Sequence, residues 1–121
     1  MGILNLTKDS FYDGGKYNNL NSAIAHTQKM LDEGADFIDI GVSSSKPGSL
    51  LISPEEERNR LIPFLKVLLK EFPNTHFSLD TYNSLVAEES LDLGISMIND
   101  ISGGLIDPNI LSVVGLYKVP Y

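Results

Sequence analysis

The feature that most constrains this chain is a repeated alternation. A short apolar run ends in a polar residue, a stretch with helical spacing follows, a glycine or proline closes it, and the next apolar run begins. Gly2 to Leu6, Asp36 to Gly41, His76 to Thr81 and Ser96 to Ile101 read as strands by their branched and aromatic content. About Asn21 to Glu33, Ser53 to Phe72 and Ser84 to Leu93 read as helices. Gly34 and Gly94 stand where left-handed helix caps belong. Ser53-Pro54-Glu55-Glu56 is a strong helix start: Ser53 can cap free N–H groups, Pro54 has no N–H to leave unpaired, and Glu56 can close a capping box. Pro63 should bend that helix without breaking it. Asp107-Pro108 repeats the start signal for a helix to about Gly115, and Val119-Pro120-Tyr121 reads as the beginning of a fifth strand.

Strand-helix-strand alternation of this kind dictates a parallel sheet, because parallel neighbours need a crossover, usually helical. Two α/β architectures fit. One is a small doubly wound sheet, and the other is about half of a (β/α)8 barrel, whose full size is typically about 250 residues. Periodicity alone leaves both open.

Composition narrows the partners. Nine Lys+Arg against 16 Asp+Glu give a net charge of -7 over 121 residues. No broad basic surface for nucleic acid or an anionic membrane follows from that balance. The absence of cysteine removes disulfides, thiolate metal sites and a cysteine nucleophile together. No apolar run is long enough to span a bilayer, no signal peptide is visible, and cytoplasm is the expected address.

In either architecture chemistry collects at the carboxyl ends of the strands, where this chain places Asn5, Ser43 to Lys46, Asp80 and Asn99-Asp100. Any one of these is as readily a turn or capping residue; four in phase point to a site. Strand alternation puts Ser78 and Asp80 on one face and Phe77 and Leu79 on the other. Asp80 and Asn99 together offer acceptors and donors suited to the edge of a flat heterocycle. His26 and His76 lie on a helix and at a strand start, and both read as structural. Glu55-Glu56-Glu57 reads as favourable charge at a helix N-terminus rather than as a metal site.

The blocks M-G-I-L-N-L-T-K-D-S-F-Y-D-G-G, S-S-S-K-P-G, F-S-L-D-T-Y and M-I-N-D-I-S-G-G resemble the dihydropteroate synthase family in order and spacing, over essentially the whole chain. The resemblance implies the barrel. It also implies a transferase that joins 6-hydroxymethyl-7,8-dihydropterin diphosphate to p-aminobenzoate, releasing pyrophosphate in folate synthesis. By position in these blocks, Asp80 and Asn99 are expected to contact the pterin ring, with Ile3 and Ile101 packing near it. Asn5 is expected to meet the diphosphate or its Mg²⁺. Asp13 is expected near the developing cation, Phe11 against the aminobenzoate ring, and Ser45, Lys46 and Pro47 around the same pocket.

The stretch Val42 to Gly48, V-S-S-S-K-P-G, departs from the family's usual G-E-S-T-R-P-G. Lys46 keeps a positive charge but lacks the planar fork with which arginine grips an anion. Lys8 stands where proline is usual. On this resemblance residues 1–121 are a truncated pterin-binding barrel domain, comprising strands one to four with their helices and the start of strand five, and inactive alone. Its open sheet edges are expected to make it a homo-oligomer. Two other readings are a pterin-binding methyltransferase domain, which the first loop disfavours, and a non-catalytic half-barrel remnant.

Overall fold

The computed structural model describes residues 1–6, 16–42 and 52–121. Four strands, β1 (Gly2–Asn5), β2 (Phe37–Gly41), β3 (His76–Asp80) and β4 (Met97–Asn99), alternate with four helices. These are α1 (Lys16–Asp32), α2 (Pro54–Glu71), α3 (Ser84–Leu93) and α4 (Asn109–Tyr117). All three strand pairings are parallel, and the sheet order is β1-β2-β3-β4. A doubly wound sheet reverses its strand order at a switch point; this one runs in sequence order throughout, as a barrel wall does. Neighbouring helices also pack in sequence order, α1 on α2, α2 on α3 and α3 on α4.

The register explains which face is core. Leu4, Ile40, Leu79 and Ile98 form one row across the sheet and are all buried, with Ile38 and Phe77 beside them. Leu61, Leu65 and Leu68 of α2, Val86 and Leu91 of α3, and Ile110 and Val114 of α4 close over that face. The i, i+3/i+4 spacing of Leu61, Leu65 and Leu68, of Ala87 and Leu91, and of Ile110 and Val114 is the stripe that a sheet-covering helix needs.

Local signals act largely as the sequence dictates. Ser53 Oγ accepts from the Glu56 N–H at 3.1 Å, with Pro54 in the first turn, and α2 runs through Pro63 without interruption. The Glu56 carboxylate pairs with Arg60 one turn further on. Gly34 and Gly94 adopt φ of +101° and +122°, conformations that a Cβ would strain. His76 packs its ring against Phe37 at the start of β2 and β3, with centroids 5.8 Å apart, so it is a packing residue at the end of the sheet remote from the Asp80 end.

Three boundaries differ from the sequence reading by more than one residue. Helix α1 begins at Lys16 rather than near Asn21, because asparagine is only mildly unfavourable inside a helix and Leu20 and Ile24 pack on the core. Helix α4 continues past Gly115 to Tyr117, and Lys118 takes the left-handed cap at φ 55°. Strand β4 stops at Asn99 because Asp100 turns the chain: its carboxylate accepts from the N–H groups of Ser102 and Gly104 at 2.8 and 2.9 Å. Beyond α4, the Pro120 carbonyl accepts from the Ile98 N–H at 3.1 Å, so the chain's last residues lie along the free edge of β4.

Candidate functional site

The face of the sheet opposite the helices carries two polar rows. The upper row, at the carboxyl ends, is Asn5, Gly41, Asp80 and Asn99; the lower row is Ile3, Asp39, Ser78 and Met97. Strand register alone makes Asp80 and Asn99 adjacent. Asn5 stands two strands from Asp80, about 10 Å away at the usual spacing of parallel strands. Asn5 and Asn99 are exposed and Asp80 is half-buried. Ile3 is 59% exposed, and Ile101, in the turn after β4, is 75% exposed. Phe11, Asp13, Ser45, Lys46 and Pro47, together with Lys8 and Ser43, lie outside the described residues.

Gly41 makes room in the row for its neighbour. A Cβ built there would come within 3.3 Å of Asp80 Cβ and Oδ2, so the missing side chain leaves the space into which the Asp80 carboxyl leans. That carboxyl lies in a field hostile to its charge: burial first, then the like charges of Asp39 and Asp100, push it from 3.8 to about 6. It therefore gains and loses its proton closer to neutrality than an ordinary surface aspartate does.

Asp39 is a site residue that the sequence reading passed over. It is 5% exposed, its Oδ2 accepts from Asn99 Nδ2 at 3.0 Å, and its Oδ1 has no partner among the described residues. The signal was present: alternation along β2 puts Phe37, Asp39 and Gly41 on the face away from the helices and Ile38 and Ile40 in the core, and a carboxylate at such a position needs a reason. Asp100 does different work. Burial opposes its ionisation, but bonds from Ser102, Tyr121 and Gly104 together hold its carboxyl below the usual range. It shapes the Ser102–Gly104 turn and ties it to the chain end through Tyr121 Oη at 2.8 Å.

The loop after Asp80 is clamped from two sides. Glu57 is 2% exposed rather than sharing the solvated surface of its acidic neighbours, and it accepts from Asn83 Nδ2. Burial raises its pKa, against the lowering effect of bonds from Thr81 and Asn83. With Asn83 turned toward Glu57, the first N–H of α3 is satisfied from elsewhere: Ser84 N donates to Asp107 Oδ2 at 2.8 Å. The Thr81 N–H donates to the Asn99 carbonyl at 3.0 Å, which binds this loop to the end of β4.

Among the described residues no group of three or more His, Asp or Glu side chains converges as a metal site. A cavity of about 160 Å³ between β1 and α1 is lined by Asn5, Asn19, Ser22 and His26 among others. It is smaller than the pockets that enclose drug-sized ligands. No described helix is long and apolar enough to cross a membrane.

A parallel βα wall with its strands in sequence order has the layout of part of a (β/α)8 barrel, and the acid–amide row lies at the carboxyl ends of its strands. Comparison with known proteins makes this specific. The family described as "Pterin binding enzyme" matches residues 1–121, and the chain belongs to that family. It is 50% identical over 118 residues to a dihydropteroate synthase of Staphylococcus haemolyticus, covering 98% of this chain and 43% of that protein. A crystal structure of Clostridium difficile dihydropteroate synthase in the presence of pteroic acid superimposes with a TM-score of 0.88 at 49% identity, over 98% of this chain and 45% of that one. The Xanthomonas albilineans dihydropteroate synthase with 4-aminobenzoic acid superimposes with a TM-score of 0.83 at 38% identity, over 98% and 44%. The chain thus spans less than half the length of these relatives, and its fold is part of their barrel.

Proposed function

We propose that this chain supplies the N-terminal half of a dihydropteroate synthase site, in which 6-hydroxymethyl-7,8-dihydropterin diphosphate is joined to p-aminobenzoate with release of pyrophosphate. The observation that carries the reading is the Asp80–Asn99 pair in register above Asp39, a set of acceptors on the sheet face away from the helices, beside exposed apolar Ile3 and Ile101. Such a surface suits a flat, donor-bearing heterocycle, with polar groups reading its edge and the isoleucines against its rings. The relatives crystallised with pteroic acid and with 4-aminobenzoic acid support the same substrate class.

In this reading Asp80 and Asn99 hold the pterin, and Asn5 faces the diphosphate from the other end of the row. Asn5 fits Mg²⁺ as a protein ligand, since it offers an exposed neutral carbonyl oxygen and Mg²⁺ commonly keeps most of its waters. When bound, the ion would neutralise charge on the leaving pyrophosphate. Asp13 is assigned to the developing positive charge on the pterin, and Phe11, Ser45, Lys46 and Pro47 to the aminobenzoate pocket. Catalysis would rest on positioning the amine and stabilising the departing diphosphate. Residues 1–121 match less than half the length of the relatives, so on this account they carry one part of the site. Among the described residues β1 has one strand partner, and self-association along its other edge is the expected arrangement; the cysteine-free sequence suits the cytoplasm.

Calorimetric titration of the chain with the dihydropterin diphosphate and Mg²⁺ tests the reading. Saturable uptake that Asp80→Ala abolishes is expected. Absence of uptake by the folded chain, or uptake indifferent to Asp80→Ala, would overturn it.

A further inference from the structure

The Asn99 side chain can present either face of its amide to a ligand, and the two faces recognise opposite chemistry: the carbonyl accepts and the NH2 donates. The neighbour beneath it decides which. Asp39 lies in the lower row of the same face, 5% exposed, and its Oδ2 receives Asn99 Nδ2 at 3.0 Å. An ionised carboxylate can only accept. With its NH2 held down by Asp39, the planar amide turns its carbonyl oxygen the other way, toward the exposed side where Asn99 meets solvent.

We propose that Asp39 is a positioning and specificity-determining residue, which locks the Asn99 amide so that its carbonyl oxygen stands beside the Asp80 carboxyl as a second acceptor for the ligand edge. The inference rests on the pterin reading for the identity of the ligand. Two adjacent acceptors select a ring edge bearing two adjacent donors, an amino group next to a ring N–H. They disfavour an edge on which a carbonyl replaces the amino group, because that substitution sets acceptor against acceptor. Geometry adds a reason for Asp rather than Asn at position 39. A neutral amide there could accept from Asn99 or donate to it, and the orientation of Asn99 would no longer be enforced. The second oxygen, Asp39 Oδ1, is buried without a partner among the described residues, so within them the residue does not complete a structural network.

The test has a ligand-free arm and a ligand arm. In the free wild-type chain, the Asn99 side-chain amide protons, followed by NMR, should exchange with water more slowly than those of exposed Asn5, and Asp39→Asn should remove the difference. In the ligand arm, 6-hydroxymethylpterin and the analogue carrying a 2-oxo group in place of the 2-amino group are titrated into both proteins. The wild type should prefer the pterin, and Asp39→Asn should erode that preference by about tenfold, the scale of one lost polar discrimination. Equal exchange at Asn99 and Asn5 in the wild type, or an Asp39→Asn protein with unchanged preference, would overturn the proposal. If the wild type takes up neither compound, the pterin reading fails, and the exchange measurement alone decides whether Asp39 holds Asn99.

Discussion

Replacing Asp80 by asparagine should make the protein more stable while removing the ionisable carboxylate from the site. Burial, with the charges of Asp39 and Asp100, moves the Asp80 carboxyl from 3.8 to about 6. The sign follows from proton binding. Between these two values the folded chain holds a proton that the unfolded chain releases, so stability falls as pH rises through that window; the penalty is complete above about 6 and absent below 3.8. At about 1.36 kcal/mol per pKa unit the full displacement corresponds to roughly 3 kcal/mol, and solvent screening of a half-buried group reduces the expectation to about 1–2 kcal/mol. Asparagine is nearly isosteric and carries no charge. Urea unfolding of wild type and Asp80→Asn at pH 8 should therefore show the variant ahead by that amount, with the advantage gone by pH 4. An Asp80→Asn protein no more stable at pH 8, or equally favoured at both pH values, would refute the electrostatic argument.

Other perturbations probe the supporting structure. Gly41→Ala places a methyl 3.3 Å from Asp80 Oδ2, so pterin affinity measured by calorimetry should fall at least tenfold while the thermal midpoint moves by only a few degrees. Glu57→Ala leaves buried Asn83 without its acceptor and should cost about 1–3 kcal/mol in urea unfolding, with Glu57→Gln retaining most of it. Asp107→Ala removes the acceptor for the Ser84 and Asn109 N–H groups, at 2.8 and 3.2 Å, and should cost about 1–2 kcal/mol near neutrality. The Asp107 pKa is lowered, by its bonds to Ser84 above all. Its contribution is therefore present above 3.8 and lost as pH falls through the lower folded value, so the Asp107→Ala deficit should shrink in strong acid.

The elements were legible wherever the signals were local. Ser53-Pro54, Gly34 and Gly94 fix helix ends through their own backbone chemistry, and the apolar runs fix the strands. The choice between architectures was not local: it depends on strand order, which no single segment encodes, and the unbroken sequence β1-β2-β3-β4 settles it. Asp80 and Asn99 could be paired in advance because both end apolar strands. Asp39 sits mid-strand, where a period-two pattern hides one polar residue among four apolar ones. Glu57 was concealed by its neighbours, since Glu55 and Glu56 are exposed and nothing in the acidic run distinguishes the third residue that folds inward toward Asn83. β4 was read too long because the turn that ends it is made by the Asp100 side chain rather than by a breaker residue.

The central claim is that residues 1–121 carry one half of a dihydropteroate synthase site, and a chimera tests it most directly. The chain would replace the matching 118-residue segment, 43% of the length, of the Staphylococcus haemolyticus relative. Pyrophosphate release from the dihydropterin diphosphate would then be followed with and without p-aminobenzoate. The account predicts p-aminobenzoate-dependent release that Asp80→Ala abolishes. A folded chimera without release, or release that does not need p-aminobenzoate or Asp80, would contradict it.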